Sequence, residues 1–305
     1  LSSALVAEPR ARIEGSRGKA VLGYATGYGP ADLEPFVRSL RAHFDGVVAL
    51  TVDDRPDVAE FLARFDIMAE APLVSDAWTP HPVVERFAAY DRWISRRRDV
   101  TEVLLTDVRD VVFQGDPFAR PLTRLEAYTE GRGGIGAHAF NVKHLKALAG
   151  ASMTSSLADR PSLCAGTICG PAVEVSRLCR TLLMLAAIPR SQVGGGFGAD
   201  QAAFNLAVHM GLIEADVRPN FERVATIGDA STEPMHVRDD DLIVNPDGSI
   251  SPVVHQYDRH QYLSDAVGRL WGRPDHSVAK GRRKTLTDRR KRLVTSFNRR
   301  LPELR

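Results

Sequence analysis

The chain reads as an α/β protein with a mixed, mainly parallel central sheet and helices on both faces. Three observations lead there. The apolar runs at residues 19–24 and 46–52 are near-continuous rather than alternating, as in strands covered on both sides. Segments with apolar residues at helical spacing separate such runs, so strand and helix alternate. A length of 305 residues suits one large α/β domain or two smaller ones, and lets roughly 75% of the unfolded chain's surface be buried.

The elements follow in order. KAVLGY (19–24) is a first strand, closed by the turn Ala25-Thr26-Gly27-Tyr28-Gly29-Pro30. Leu33, Phe36, Val37, Leu40 and Phe44 mark one face of a helix over residues 32–44. GVVALTV (46–52) is the second strand, and residues 56–65 form a short helix with proline in its first turn, where a missing N–H does no harm. A longer helix over 83–98 leads into an apolar strand at Val103-Leu104-Leu105. The second half is less regular. SLCAGTIC (162–169) is strand-like, residues 173–187 are an apolar-faced helix, and 194–198 are a glycine-rich loop. Residues 200–210 form a helix with Asp200 at its positive end. Residues 242–244 and 250–256 flank Asn245-Pro-Asp-Gly-Ser249 and read as a hairpin. No internal repeat is present.

Composition bounds the function. Hydrophobic residues make up 44% and charged residues 26%, the values of an ordinary globular protein, and no run of 18 apolar residues exists to span a membrane. The net charge of +2 conceals a division. Residues 273–305 carry twelve Lys/Arg against three acids, a balance of +9, while the other residues carry 28 basic and 35 acidic side chains, or −7. Within that basic tail Leu286, Leu293, Val294, Phe297 and Leu301 form an apolar stripe, as in helices lying on anionic membrane surfaces. With Phe297 as its sole aromatic residue, the tail lacks the stacking platforms of a nucleic-acid binder. Cys164, Cys169 and Cys179 are odd in number and close together, which is no disulfide framework. No glycosylation sequon occurs, residues 1–18 have no apolar core behind a basic start, and no His/Cys cluster completes a zinc site. A cytoplasmic location is expected, peripheral on the inner membrane face through the tail.

The chemistry concentrates in Val103-Leu-Leu-Thr-Asp-Val-Arg-Asp-Val-Val-Phe-Gln-Gly-Asp-Pro-Phe118. An apolar strand delivers Asp107 and Asp110 at its carboxyl end, where the sheet opens and two acids can hold a divalent cation. On a strand, positions i and i+3 point to opposite faces, so both acids reach one ion only if the chain turns at Val108-Arg109. Otherwise Asp107 binds alone with a later histidine, and Arg109 meets a diphosphate directly through its forked donors.

These motifs, in this order over residues 20–260, resemble the GT-A nucleotide-sugar glycosyltransferases of the glycogenin and bacterial galactosyltransferase type. A first strand ends in Tyr24-Ala-Thr-Gly-Tyr28; a helix with Arg86, Tyr90, Arg92 and Trp93 precedes the acidic strand; Cys164-Ala-Gly-Thr167 is similar to the family's Asn-Ala-Gly; Gly198-Ala-Asp-Gln-Ala-Ala-Phe-Asn205 is similar to its Asp-Gln-x-x-x-Asn; and His255 comes last. The pattern departs from the family at Asp-Val-Arg-Asp, which replaces Asp-x-Asp.

The resemblance implies an extension (1–18), a GT-A domain (19–272) and a basic tail (273–305). The domain would comprise a nucleotide-binding half (19–118) and a donor-sugar and acceptor half (119–272). It implies Mn2+ or Mg2+ on Asp107, Asp110 and His255, and a UDP- or GDP-sugar held by Tyr24, Ala25, Thr26, Tyr28, Arg86, Arg92, Arg109, Ala165, Gly166, Thr167 and His138. Asp200 and Gln201 would be catalytic, Asp200 as general base or as a carboxylate beside the anomeric carbon. The acceptor would be a saccharide or lipid-linked saccharide hydroxyl of a bacterial surface polysaccharide pathway. A sugar-1-phosphate nucleotidyltransferase would need a basic residue in the first turn, which Gly27-Tyr-Gly-Pro30 lacks. A binding module with a decayed metal site is the non-catalytic alternative.

Overall fold

A computed structural model of the chain describes residues 16–73, 80–187, 196–228 and 235–272. Residues 1–15, part of the glycine-rich loop and the basic tail lie outside these.

In chain order the strands are β1 (Lys19–Tyr24), β2 (Val47–Thr51), β3 (Met68–Glu70), β4 (Glu102–Thr106), β5 (Val111–Phe113), β6 (Glu126–Gly134), β7 (Pro161–Pro171), β8 (Asp216–Arg218), β9 (Val224–Thr226), β10 (His236–Val237), β11 (Ile243–Val244) and β12 (Val253–His255). The helices are α1 (Pro30–His43), α2 (Pro56–Ala63), α3 (Pro82–Ser95), α4 (Ala139–Ser156), α5 (Ala172–Ala186), α6 (Ala199–His209) and α7 (Gln261–Trp271).

The main sheet has seven strands in the order β3-β2-β1-β4-β7-β6-β8, all parallel except β7. Its central strands β1, β2, β4 and β7 are buried on both sides because helices cover both. On β1 and β4 alternate residues separate cleanly, since successive side chains of a strand point to opposite faces. Ala20, Leu22, Val103 and Leu105 face Phe87, Tyr90 and Trp93 of α3 and Val175 and Leu178 of α5. Val21 and Leu104 face Leu33, Phe36 and Leu40 of α1 and Leu62 of α2.

A second, three-stranded sheet, β5-β12-β9, stands beside the first. Phe113 of β5 packs edge-to-face on Phe36 of α1, with centroids 5.4 Å apart. Val112, Val254, Tyr257, Leu263 and Val267 form its other core under α7. The expected hairpin at 242–256 is corrected here. Its turn exists, with Asn245 N donating to Ser249 O at 2.8 Å and Gly248 N to Asn245 O at 2.9 Å. Its arms do not pair: β11 joins β10, and β12 joins β5 and β9. Long-range partners with two apolar faces to cover outcompete the local pairing the turn would favour.

None of the described helices is long and apolar enough to cross a membrane.

Among the described residues, Glu126 is the charged residue buried within the main sheet. Its buried carboxylate accepts from Arg223 Nε at 3.0 Å and from the Tyr128 hydroxyl, while Arg223 also donates to the carbonyls of Pro117 (2.5 Å) and Arg120 (2.8 Å). This clasp ties β6 to the approach of β9. Burial disfavours the ionised carboxyl, but the bonds from Arg223 and Tyr128 outweigh it and hold its pKa below the ordinary 4.5. A depressed pKa means stabilisation that is complete above pH 4.5 and is lost as pH falls toward the folded value. Glu126→Gln is expected to cost roughly 3 kcal/mol at neutral pH by leaving Arg223 unpaired. It should also flatten the acid limb of stability against pH. Urea unfolding of both proteins across the acid range measures this, and superimposable acid limbs would refute it.

Candidate metal centre and its cleft

From β1 the chain moves outward through α1, β2, α2 and β3, then crosses back by α3 to β4 on β1's other side. Between β1 and β4 the connections therefore change direction, and at such a point the carboxyl ends of the strands open a crevice. β4 stops at Thr106, and residues 107–110 bend before β5 begins. The turn that the Asp-Val-Arg-Asp spacing required is thus present. Two backbone bonds hold it: Asp107 N to Gly166 O and Gln256 N to Asp110 O, both 2.7 Å.

The pairing of β12 with β5 sets His255 opposite Val111, beside Asp110. Asp107, Asp110 and His255 each offer a ligand atom within 4.8 Å of the others, so the three could hold a metal ion. His255 Nε2 lies 3.6 Å from Asp107 Oδ2 and 4.0 Å from Asp110 Oδ1, and it is buried without a hydrogen-bond partner. On the ring's other side Nδ1 lies 3.4 Å from Cys164 Sγ and 3.5 Å from Thr226 Oγ1. With Nδ1 protonated toward these atoms, Nε2 presents its lone pair to the acids, the orientation a ligating histidine needs. Gly166 keeps the gap open. A Cβ there would stand 2.4 Å from His255 Cε1, 2.8 Å from Nε2 and 2.9 Å from Asp107 Oδ2. The orphaned Nε2, the glycine beside it and the two carboxylates together fit a divalent cation.

Arg86 of α3 governs the charge. Its buried guanidinium donates to Asp107 Oδ1, to Asp200 Oδ2 at 2.7 Å and to the Ala165 carbonyl at 2.9 Å. Burial works against ionisation of Asp107, but Arg86 and His255 bring its pKa down to about 2. Asp110 moves the other way: burial raises its pKa and Asp107 adds to the rise, with His255 only partly offsetting them. Asp200 is also raised by burial, against the pull of Arg86. Burial disfavours the His255 imidazolium, yet contacts with Cys164, Asp107 and Asp110 lift its pKa well above the ordinary value. Protons on Asp110 and His255 compete for the place a cation would take.

The centre opens onto a cleft of ≈ 420 Å³. Of the residues expected from sequence, Arg86, Asp107, His138, Gly166, Asp200, Gln201 and His255 line it. Asp110 does not line it but lies with Asp107 and His255 in the group that could hold a metal ion. Ala165 contributes its carbonyl to Arg86, and Thr167 is buried with its hydroxyl unpaired. Tyr24, Ala25, Thr26 and Tyr28 form the turn after β1, outside the cleft lining; Ala25 N donates to Thr51 O at 2.7 Å and Gly27 N to Asp53 Oδ2 at 2.5 Å. Burial and Glu85 raise the Tyr24 pKa, and burial raises that of Tyr28, which senses Arg109, Asp110 and Asp107. Arg109 pairs with Asp258 at 3.1 Å and lies 3.7 Å from Asp110. Arg92 is not brought to the site: it donates to Ala71 O at 2.7 Å and does not line the cleft.

Sequence reasoning missed Glu130, Asn141, Phe140, Phe197 and Arg259, all of which line the cleft. Arg259 lies 3.7 Å from Asp110, just past Gln256, a non-glycine residue at φ 61°. The signal for it was its closeness to His255 in sequence; Phe197 lies within the glycine-rich loop and Phe140 two residues from His138, while Glu130 and Asn141 carried no signal of their own. Asn205, at the end of the segment that begins at Gly198, bonds the backbone of Leu163, accepting from N at 2.9 Å and donating to O at 2.8 Å.

Compared with known proteins, the chain matches no protein-family model and no curated protein.

Gly166→Ala is expected to push His255 off the two acids and weaken Mn2+ binding by roughly 10–100-fold, the scale seen when ligand orientation is lost. Titration calorimetry or Mn2+ electron paramagnetic resonance on both proteins tests it. Equal affinities would show that the gap at Gly166 is not part of a metal site.

Proposed function

We propose that the chain is a GT-A glycosyltransferase that moves a sugar from a nucleoside diphosphate to a hydroxyl acceptor. The observation that carries this reading is the Asp107, Asp110 and His255 cluster at the switch point of a mainly parallel sheet, opening directly onto a cleft lined by Arg86 and Asp200. Two carboxylates and one imidazole suit Mn2+ better than Mg2+, which keeps its waters and prefers oxygen alone. When bound, such a cation supplies positive charge against a departing diphosphate.

The chain's own residues do the rest. Arg109 and Arg259, each tied to Asp258, stand beside Asp110 as forked cations for phosphate oxygens. The turn 24–28, at the carboxyl end of β1, is the place for the nucleoside. Asp200 is held by Arg86, and its raised pKa is the direction a general base needs for receiving an acceptor proton. Gln201, next in the chain, fixes polar groups on the cleft wall. The acceptor in this reading is a saccharide or lipid-linked saccharide; the basic tail that would meet a membrane surface lies outside the described residues.

The test is hydrolysis of UDP-, GDP- and dTDP-sugars with Mn2+, wild type against Asp107→Ala. Turnover is expected with one donor class and should fall roughly 10²-fold or more in the variant, as when a preorganised charge contact is lost. Unchanged turnover in the variant rejects the role of Asp107. Stabilisation by UDP and Mn2+ with no turnover of any donor would instead make the chain a binding module.

A further inference from the structure

Beyond the metal end, the cleft has a second end built from different chemistry. Glu130 of β6 lines it, and three side chains lock one oxygen of its carboxylate: Gln201 Nε2 at 2.5 Å, Ser162 Oγ at 3.1 Å and Asn141 Nδ2 at 3.5 Å all donate to Oε1. Asn141 and Ser162 are themselves buried and bonded to each other at 2.6 Å, and Gln201 also donates to Asn141 Oδ1 at 2.9 Å. Among the described residues every hydrogen bond to Glu130 ends on Oε1. Among the described residues Oε2 has no hydrogen-bond donor, and it belongs to a side chain held on the wall of a cleft.

Above this polar floor stands an aromatic rim. Phe140 and Phe197 line the same cleft yet are 45% and 62% exposed. They meet edge-to-face at 5.9 Å, with His144 at 4.4 Å from Phe140 and His81 at 6.0 Å from Phe197. Gly198 makes this contact possible: at φ +88° it starts α6, and a Cβ on it would stand 2.7 Å from Phe140 Cζ and 2.8 Å from His144 Cδ2. Two large rings exposed side by side at a cleft form an apolar patch of the kind that marks ligand-binding grooves. A ligand with an apolar face and a hydroxylated edge would use both the rings and the carboxylate, because ring faces take up C–H groups and a carboxylate accepts from hydroxyls.

We propose that Glu130, Asn141 and Gln201 with Phe140 and Phe197 form a subsite for a neutral pyranose. Resting on the glycosyltransferase reading, this is where the acceptor sugar sits. Asp200 and Gln201 are consecutive, one bonded to Arg86 and the other to Glu130, so the first turn of α6 spans both ends of the cleft. The Glu130 carboxylate selects against uronates and other anionic sugars, through like-charge repulsion in a partly desolvated place.

Saturation-transfer NMR on the full chain tests this, with methyl glucoside, methyl galactoside and glucuronate as probes. Transfer to the ring C–H protons of at least one neutral glycoside is expected, with glucuronate much weaker. Phe140→Ala/Phe197→Ala and, separately, Glu130→Ala should each weaken binding by roughly tenfold or more, the scale of a lost stacking or charge-assisted contact. The two rings are exposed, so the double variant should keep the wild-type melting temperature, and a loss of binding then reports the subsite. No transfer to any neutral glycoside, equal binding of glucuronate, or wild-type binding by both variants would each overturn the proposal. Donor hydrolysis by the wild-type chain is scored separately. Glycoside binding without hydrolysis of any nucleotide sugar supports the subsite and removes the transferase reading.

Discussion

Arg86 brings one positive charge to a place where the buried Asp200 and the half-buried Asp107 would otherwise face each other. An unpaired buried carboxylate costs several kcal/mol, and two that are close together cost more. By bonding both and the Ala165 carbonyl, the guanidinium lets three elements end at one point: α3 with the arginine, β4 with Asp107 and α6 with Asp200. Asp110 lies instead 3.7 Å from each of Arg109 and Arg259. Burial works against ionisation of both acids; Arg86 and His255 overcome it at Asp107 but it prevails at Asp110, so the two are shifted in opposite directions.

The two sheets divide the work. The seven-stranded sheet supplies rigidity, because its central strands are buried on both faces, and its switch point fixes where the acids emerge. The small sheet contributes His255, Arg259 and the wall at residues 226–228. β5 links them: it begins directly after the Asp-Val-Arg-Asp bend of one sheet and belongs to the other. The site lies where the chain passes between two cores, a position that leaves polar groups accessible while anchoring them on both sides.

The parallel half was legible because its physics is local. Apolar runs of strand length and helices such as α1, with Leu33, Phe36, Val37 and Leu40 on one face, announce themselves in any such sheet. So did the acids, since charge next to Leu104 and Leu105 has few structural uses. What stayed hidden was set by distant partners. β6 reads EAYTEGRGG, with too much charge and glycine to resemble a strand, yet Arg223, far along the chain, neutralises its Glu126. α4 buries little beyond Asn141, Leu145 and Thr154 and bends at Gly150 (φ 84°), so no apolar stripe marks it. The false hairpin arose because a good Pro-Asp-Gly turn says nothing about what its arms will meet. Arg92 looked like a site residue from its helix alone; at the sixth position after Arg86 it faces another way around α3.

The ligand-bearing segments are distant in sequence, Asp107 and Asp110 near the end of the first half and His255 close to the end of the described chain. Closing so long a loop is entropically unfavourable and here depends on short strands of two or three residues each. Anything that bridges the three side chains acts as a non-covalent cross-link between the early and late parts of the polypeptide. Chelation would then be felt well beyond the centre, as looser amide protection through β9, β12 and α7, while β1 to β4 keep theirs.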